Sequence, residues 1–205
     1  MTKKYKRNSA LTIKVILDAA REEFIESGIN KATIEKIADR ADISQQLIYH
    51  YFGGKETLYQ EMLADTARSD VERAESSSFD NLEPQEALAN FIDMVFEGHD
   101  KWGRLVIDQI QQDGRQIIDS NPIRDSTRRY VSMLSAILDR GKRSGIFTLS
   151  IKNEDLFILI WLLSLGMSSF GPMASKYIDR DFVTEMANGY WRDYSKDFIL
   201  KAIKP

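Results

Sequence analysis

Cysteine is absent from the chain, which rules out disulfide bonds and thiolate-bound metal and leaves nothing that points to an oxidising compartment. Histidine occurs only at His50 and His99, so no set of imidazoles has metal-ligand spacing, and neither a metal nor a cofactor is expected. Glycine-rich phosphate loops and a Gly-x-Ser-x-Gly nucleophile elbow are missing too, and with them the signatures of nucleotide and acyl-transfer enzymes; no catalytic residues are expected. Strand-like alternation and hairpin turns are lacking, which leaves an all-α fold. The longest apolar run, Leu156 to Phe170, falls short of the ~20 residues of a membrane-spanning helix and is interrupted by Ser164, Gly166, Ser168 and Ser169. No membrane association is expected. The N-terminus is polar and basic, without the apolar core of a secretory leader, so a cytoplasmic location is expected.

What the chain does have is a hydrophobic content of 43% over 205 residues, ample for one small and one larger helical unit. The net charge of −3 is unevenly spread. Residues 1–60 hold ten Lys/Arg against eight Asp/Glu, and 61–205 hold eighteen against twenty-three, so the first part is net +2 and the second net −5. Lys3, Lys4, Lys6, Arg7 and Lys14 fall within the first 17 residues, where there is no acid. Such a segment suits an arm that follows a phosphate backbone, and it equally suits a solubilising tail.

The most informative stretch runs from Thr33 to Leu58, TIEKIADRADISQQLIYHYFGGKETL. Ile34, Ile37, Ala38 and Ala41 recur at helical spacing, leaving Glu35, Lys36, Asp39 and Arg40 wet. Asp42 tolerates a left-handed turn, Ile43 can plug the angle, and the Ser44 hydroxyl suits a new helix N-terminus. In the helix that follows, Ile48 and Phe52 face inward while Gln45, Gln46, Tyr49 and His50 stay outside. Gly53-Gly54 ends it and Lys55 starts the next. Two short helices joined by one turn are the layout of a helix-turn-helix. Its exposed set suits a major groove: glutamine pairs bidentately with adenine, and tyrosine and histidine reach phosphates.

The residues Ile16-Leu17-Asp18-Ala19-Ala20, Phe24, Gly28, Thr33, Ile37-Ala38, Ala41, Ser44, Ile48-Tyr49, Tyr51-Phe52, Lys55-Glu56 and Leu58, matched without a gap, resemble the N-terminal domain of the TetR family of bacterial transcriptional regulators. Aspartate stands at position 42, where that family often has glycine. The resemblance implies an all-helical homodimer whose N-terminal three-helix domain grips a palindromic operator in double-stranded DNA and whose larger C-terminal domain takes a small-molecule effector. It also implies about nine helices. Carried over by position, it puts Thr33 and Lys55 at phosphates and Ser44, Gln45, Gln46, Tyr49 and His50 on or at the start of the recognition helix. The expected domains are 1–58, the helix-turn-helix domain with its basic arm, and 59–205, for effector binding and dimerisation.

Before and after this stretch, periodicity places the helices. A first one is expected from Leu11 to Ser27, burying Ile13, Ile16, Leu17, Ala20 and Phe24 and stopping at Gly28, with Asp18, Glu22, Glu23 and Glu26 on a solvated face. A fourth should span Lys55–Glu75, and Pro84 should open a fifth. The Gly98-His99-Asp100 break then separates that fifth helix, with Leu88, Phe91, Ile92, Val95 and Phe96, from a shorter one with Trp102, Leu105, Val106 and Ile110. Asn121 as N-cap before Pro122 opens another, ending at Gly145. The 156–170 segment is apolar on nearly every face, so one side must be covered by the subunit and another by something else. The last helix, 181–201, offers Val183, Met186, Tyr190, Trp191, Tyr194 and Phe198. In the family the helices at these two places form a four-helix dimer interface, so a homodimer through 156–170 and 181–201 is expected.

Effector contacts are expected from Phe91, Met94, Trp102, Met133, Trp161, Met167 and Phe170, which lie on helices that enclose the cavity in similar proteins. Met and aromatics at helical spacing are also the ordinary content of a core. Two readings therefore stand side by side. One is a ligand-released repressor; the other is a constitutive dimeric DNA binder or accessory interaction protein of the same fold with no effector pocket.

Overall fold

The computed structural model describes residues 9–77, 79–115, 120–148 and 152–205, with the side chains of Asp100, Lys101 and Met167–Ser169 outside that description. The basic residues Lys3, Lys4, Lys6 and Arg7 of the proposed arm lie outside it as well. Among the described residues there are nine α-helices, one short 3-10 turn and no strand. They are α1 (Ser9–Lys31), α2 (Ile34–Arg40), α3 (Gln45–Phe52), α4 (Lys55–Ser76), α5 (Pro84–Gln111), α6 (Asn121–Arg143), α7 (Asn153–Ile178), α8 (Phe182–Ala187) and α9 (Tyr190–Ala202).

The all-α class and the helix count agree with expectation, but the partition of the second half does not. No break occurs at Gly98-His99-Asp100, and α5 runs through it. Val95, Phe96, His99 and Leu105 are all buried, so the packed face continues past the weak helix formers and outweighs their cost of about 1 kcal/mol each. The final helix is instead divided: Gly189, at φ 77, separates α8 from α9. The apolar helix extends beyond 156–170 at both ends and passes through Pro172. At α6 the cap is Ser120, whose hydroxyl accepts from the Ile123 amide at 3.5 Å, and Asn121 is already helical.

The described residues up to Ser69, with Arg104–Asp125, form one compact unit; Asp70–Gly103 with the described residues from Ser126 onward form a second. Helices α4 and α5 each contribute to both. In the first unit Ile16, Phe24, Ile37, Ile48, Leu58, Tyr59 and Met62 are buried, with the Phe24 and Tyr59 rings edge-on at 4.8 Å. Each such side chain contributes about 1.5–3 kcal/mol by leaving water. Ile13, expected inside, is only half-buried, and Thr12 is buried in the same turn.

The second unit has its core in Leu88, Phe91, Ile92, Leu134, Ile137, Leu138, Leu156, Ile160 and Ile199. Arg140 ties the 3-10 turn Phe79–Asn81 to α6 by donating to the carbonyls of Phe79, at 2.8 Å, and Leu82. Among the described residues no single helix is long and apolar enough to cross a membrane.

Candidate nucleic-acid interface

Helices α2 and α3 are joined by Ala41–Ser44. Asp42 takes the left-handed conformation, φ 51, and the Ile43 amide closes the turn on the Ala38 carbonyl at 3.0 Å. A short polar side chain is among the few that accept this conformation without glycine. Ile48 and Phe52 bury one side of α3, and Gly53 ends it at φ 75 with its amide on the Tyr49 carbonyl at 2.9 Å. Gln45, Gln46, Tyr49 and His50 lie exposed on the side away from Ile48 and Phe52. His50 packs edge-on against Tyr51, centroids 5.3 Å apart. These four side chains thus offer amide, phenol and imidazole groups to whatever approaches α3.

Thr33 is the N-cap of α2, its hydroxyl accepting from the Lys36 amide at 3.3 Å. Ser44 holds the corresponding place at α3, with extended dihedrals, but it makes no side-chain capping bond. The capping role read from the sequence is therefore corrected for Ser44. Its hydroxyl is exposed at the start of the helix, next to first-turn amides that lack intrahelical acceptors. Lys55 has two of its ammonium hydrogens engaged, donating from Nζ to the carbonyls of Ile29, at 2.9 Å, and Ala32, at 3.2 Å. A cation there suits the carbonyl end of α1.

The acidic face of α1 is not simply solvated, as its pattern suggested. Glu23 is only 3% exposed, and Arg40 from α2 reaches Glu26 at 2.7 Å and both Glu22 and Glu23 at 3.2 Å. Lys36 stands 3.6 Å from the second Glu23 oxygen. The hydrogen bond that Arg40 donates to Glu26, then those to Glu23 and Glu22, raise the guanidinium pKa above its ordinary value. Asp18 is paired with Arg21, which also binds Asp65 and the Thr66 hydroxyl. These pairs fix α2 and α4 against α1, and so set where α3 is presented. The sequence showed the charges but not which helix would answer them.

Near the end of α5, two adjacent polar side chains are engaged by α1 and α4. Asp108 Oδ2 accepts the Ile29 amide at 3.3 Å, and Gln109 Nε2 donates to the Tyr59 hydroxyl at 2.9 Å. Burial pushes the Tyr59 phenol up to about 12.

Four of the residues proposed for effector contact, Phe91, Met94, Met133 and Trp161, come together in or against one core. Phe91 is fully buried, edge-on to Phe79 and Tyr130 at 6.1 and 6.4 Å. Met94, Met133 and Trp161 are half-buried against the same core, and Trp102 is half-buried. Phe170 is exposed, and the Met167 side chain lies outside the described residues. A cleft of about 230 Å³ lies among Phe96, Ser164, Met186–Gly189, Trp191 and Arg192, and none of the six whose side chains are described lines it. Behind Ser164, buried His99 pairs through Nδ1 with its hydroxyl, which donates to the Trp161 carbonyl at 2.9 Å. Burial lowers the His99 pKa to about 4.

A second exposed feature is apolar. Ile158, Leu159 and Leu162 on α7, with Tyr190, Tyr194 and Phe198 on α9, all reach solvent. The last three recur every four residues and form one strip along α9.

The HTH-type transcriptional repressor NicS of Pseudomonas putida is 23% identical over 192 residues, covering 92% of this chain and 91% of that protein. The fatty acid metabolism regulator protein of Bacillus subtilis is 26% identical over 133 residues, 63% of this chain and 68% of that protein. Among solved structures, the transcriptional regulator FadR from Bacillus subtilis in complex with stearoyl-CoA shares the fold with a TM-score of 0.64 and 22% identity, covering 93% of this chain and 98% of that one. The profile of bacterial regulatory proteins of the tetR family matches residues 16–62, and that of the tetracyclin repressor-like C-terminal domain matches 84–199. With the helix-turn-helix formed by Ile34–Arg40 and Gln45–Phe52, these matches place the chain in the TetR family of bacterial transcriptional regulators.

Proposed function

We propose that the protein is a homodimeric repressor that binds an inverted-repeat operator through α3 and is released from it by a small-molecule effector. The observation that carries the reading is the polar face of α3: Gln45, Gln46, Tyr49 and His50 are exposed opposite the buried Ile48 and Phe52. Residues 1–58 act as the DNA-binding domain, with base edges read by the glutamines and phosphates met by Thr33, Ser44, Tyr49, His50 and the third ammonium hydrogen of Lys55. Residues 59–205 act in dimerisation and effector binding, and the whole works without catalysis, metal or cofactor. Effector control requires differential affinity for two states of the dimer.

The close packing around Phe91, Met94, Met133 and Trp161 favours a second reading, a constitutive DNA binder with no effector pocket. The cleft beside Ser164 is smaller than the ~300–1,000 Å³ of most ligand sites. An operator complex that no small molecule dissociates would favour that reading.

Selection of bound duplexes from random DNA tests the main proposal. The recovered sites should be inverted repeats. Gln45→Ala or Gln46→Ala should lose about 1–3 kcal/mol on that site with nearly unchanged affinity for unrelated DNA. Equal losses on both kinds of DNA would remove the glutamines from base reading, and recovery of no preferred sequence would defeat the proposal.

A further inference from the structure

We propose that Asp108, near the end of α5, is a positioning residue for operator binding. Its carboxylate sets the backbone course from which the helix-turn-helix departs, an inference that rests on the operator-binding reading above. At Gly28 the α1 backbone leaves helical dihedrals, with φ 71 and ψ 161. The backbone of the next residue is then held on both sides of its Cα: the Ile29 amide donates to Asp108 Oδ2 at 3.3 Å, and the Ile29 carbonyl accepts from Lys55 Nζ at 2.9 Å. Lys55 also holds the Ala32 carbonyl, and Thr33 opens α2 at the following residue. The entry into the helix-turn-helix is therefore fixed by one anion from α5 and one cation from α4.

One further contact closes the arrangement. Gln109, adjacent to Asp108, donates to Tyr59 on α4, so neighbouring α5 residues grip α1 and α4 separately. A Cβ added at Gly28 would stand 3.1 Å from Asp108 Oδ2, so the carboxylate sits against the kink itself, where a positive φ already favours glycine. All of these groups belong to the first compact unit. Asp108 itself lies beyond the Thr33–Leu58 stretch that carries the DNA-reading residues.

The test uses the full chain and a duplex that the wild-type protein has selected from random DNA. Asp108→Ala removes the acceptor; Asp108→Asn keeps an oxygen that can accept the same amide. The expected result is that Asp108→Ala binds the selected duplex roughly tenfold more weakly, because the Ile29 amide is left without its side-chain acceptor. Helix content should match the wild type, and Asp108→Asn should bind within about twofold of it. Wild-type affinity in Asp108→Ala would overturn the inference, as would an Asp108→Asn defect equal to that of Asp108→Ala. Loss of helix content in Asp108→Ala would overturn it too, by making the carboxylate a requirement of folding. A wild-type chain that selects no duplex would refute the operator-binding reading and this inference together, whereas normal binding by Asp108→Ala refutes the inference alone.

Discussion

His99 shows how one residue can be visible in the sequence while its chemistry is not. A lone histidine beside Gly98 and Asp100 looks like part of a helix break, yet it is buried within α5 with its ring edge-on to Trp161 at 5.1 Å. Because the Ser164 hydroxyl donates to the Trp161 carbonyl, the neutral imidazole carries its proton on Nδ1 and gives it to Ser164 Oγ. Burial lowers the folded-state pKa from 6.5 to about 4. Above pH 6.5 the residue is neutral in both states and costs nothing. As the pH falls below 6.5 the unfolded chain binds a proton that the folded chain refuses until about pH 4, so stability drops through that window. Urea denaturation should show about 2 kcal/mol more loss between pH 7.5 and 5 in the wild type than in His99→Gln. Equal losses would mean that His99 accepts its proton in place.

Helix propensity and packing disagree in α5 and α6, and packing decides both. Gly141 lies within α6, where alanine would ordinarily be favoured by about 0.5–1 kcal/mol. A Cβ there would fall 1.9 Å from the Phe147 ring, which is itself buried. Gly141→Ala should therefore lower stability by about 1–3 kcal/mol despite the better helix former, a shift visible in the urea midpoint. An unchanged or raised midpoint would show that the ring has room to move. The same competition explains α5, whose buried side chains carry it through Gly98. It does not rescue the last helix at Asn188-Gly189, a dipeptide with turn character in which Gly189 takes a positive φ.

At the scale of the whole molecule, the exposed apolar strips of α7 and α9 and the polar face of α3 must serve one two-fold symmetric assembly if the proposed function holds. Leu162 is 59% exposed and Leu165 only 5%, although they lie three positions apart on the same helix. Leu162→Glu should accordingly give a folded monomer by sedimentation, with weak half-site binding because the second set of contacts is lost. Leu165→Glu should lose helix content instead, since its charge would be buried within the subunit. A Leu162→Glu variant that sediments as the wild-type dimer would remove this face from the interface.

The amino-acid sequence by itself determined the helical class, the two short helices with their turn at Asp42, and the exposed set Gln45, Gln46, Tyr49 and His50. All of these follow from spacing and turn chemistry within a few residues of one another. Tertiary structure alone decided the rest. Arg40 is matched to Glu22, Glu23 and Glu26, Lys55 to the carbonyls of Ile29 and Ala32, and Asp108 to the Ile29 amide, partners separated by 14 to 79 positions. Periodicity marks which face of a helix is buried but carries no label for the helix that covers it. That choice is made only when distant side chains meet, where burial and charge pairing outweigh the local preferences that can be read from neighbouring residues.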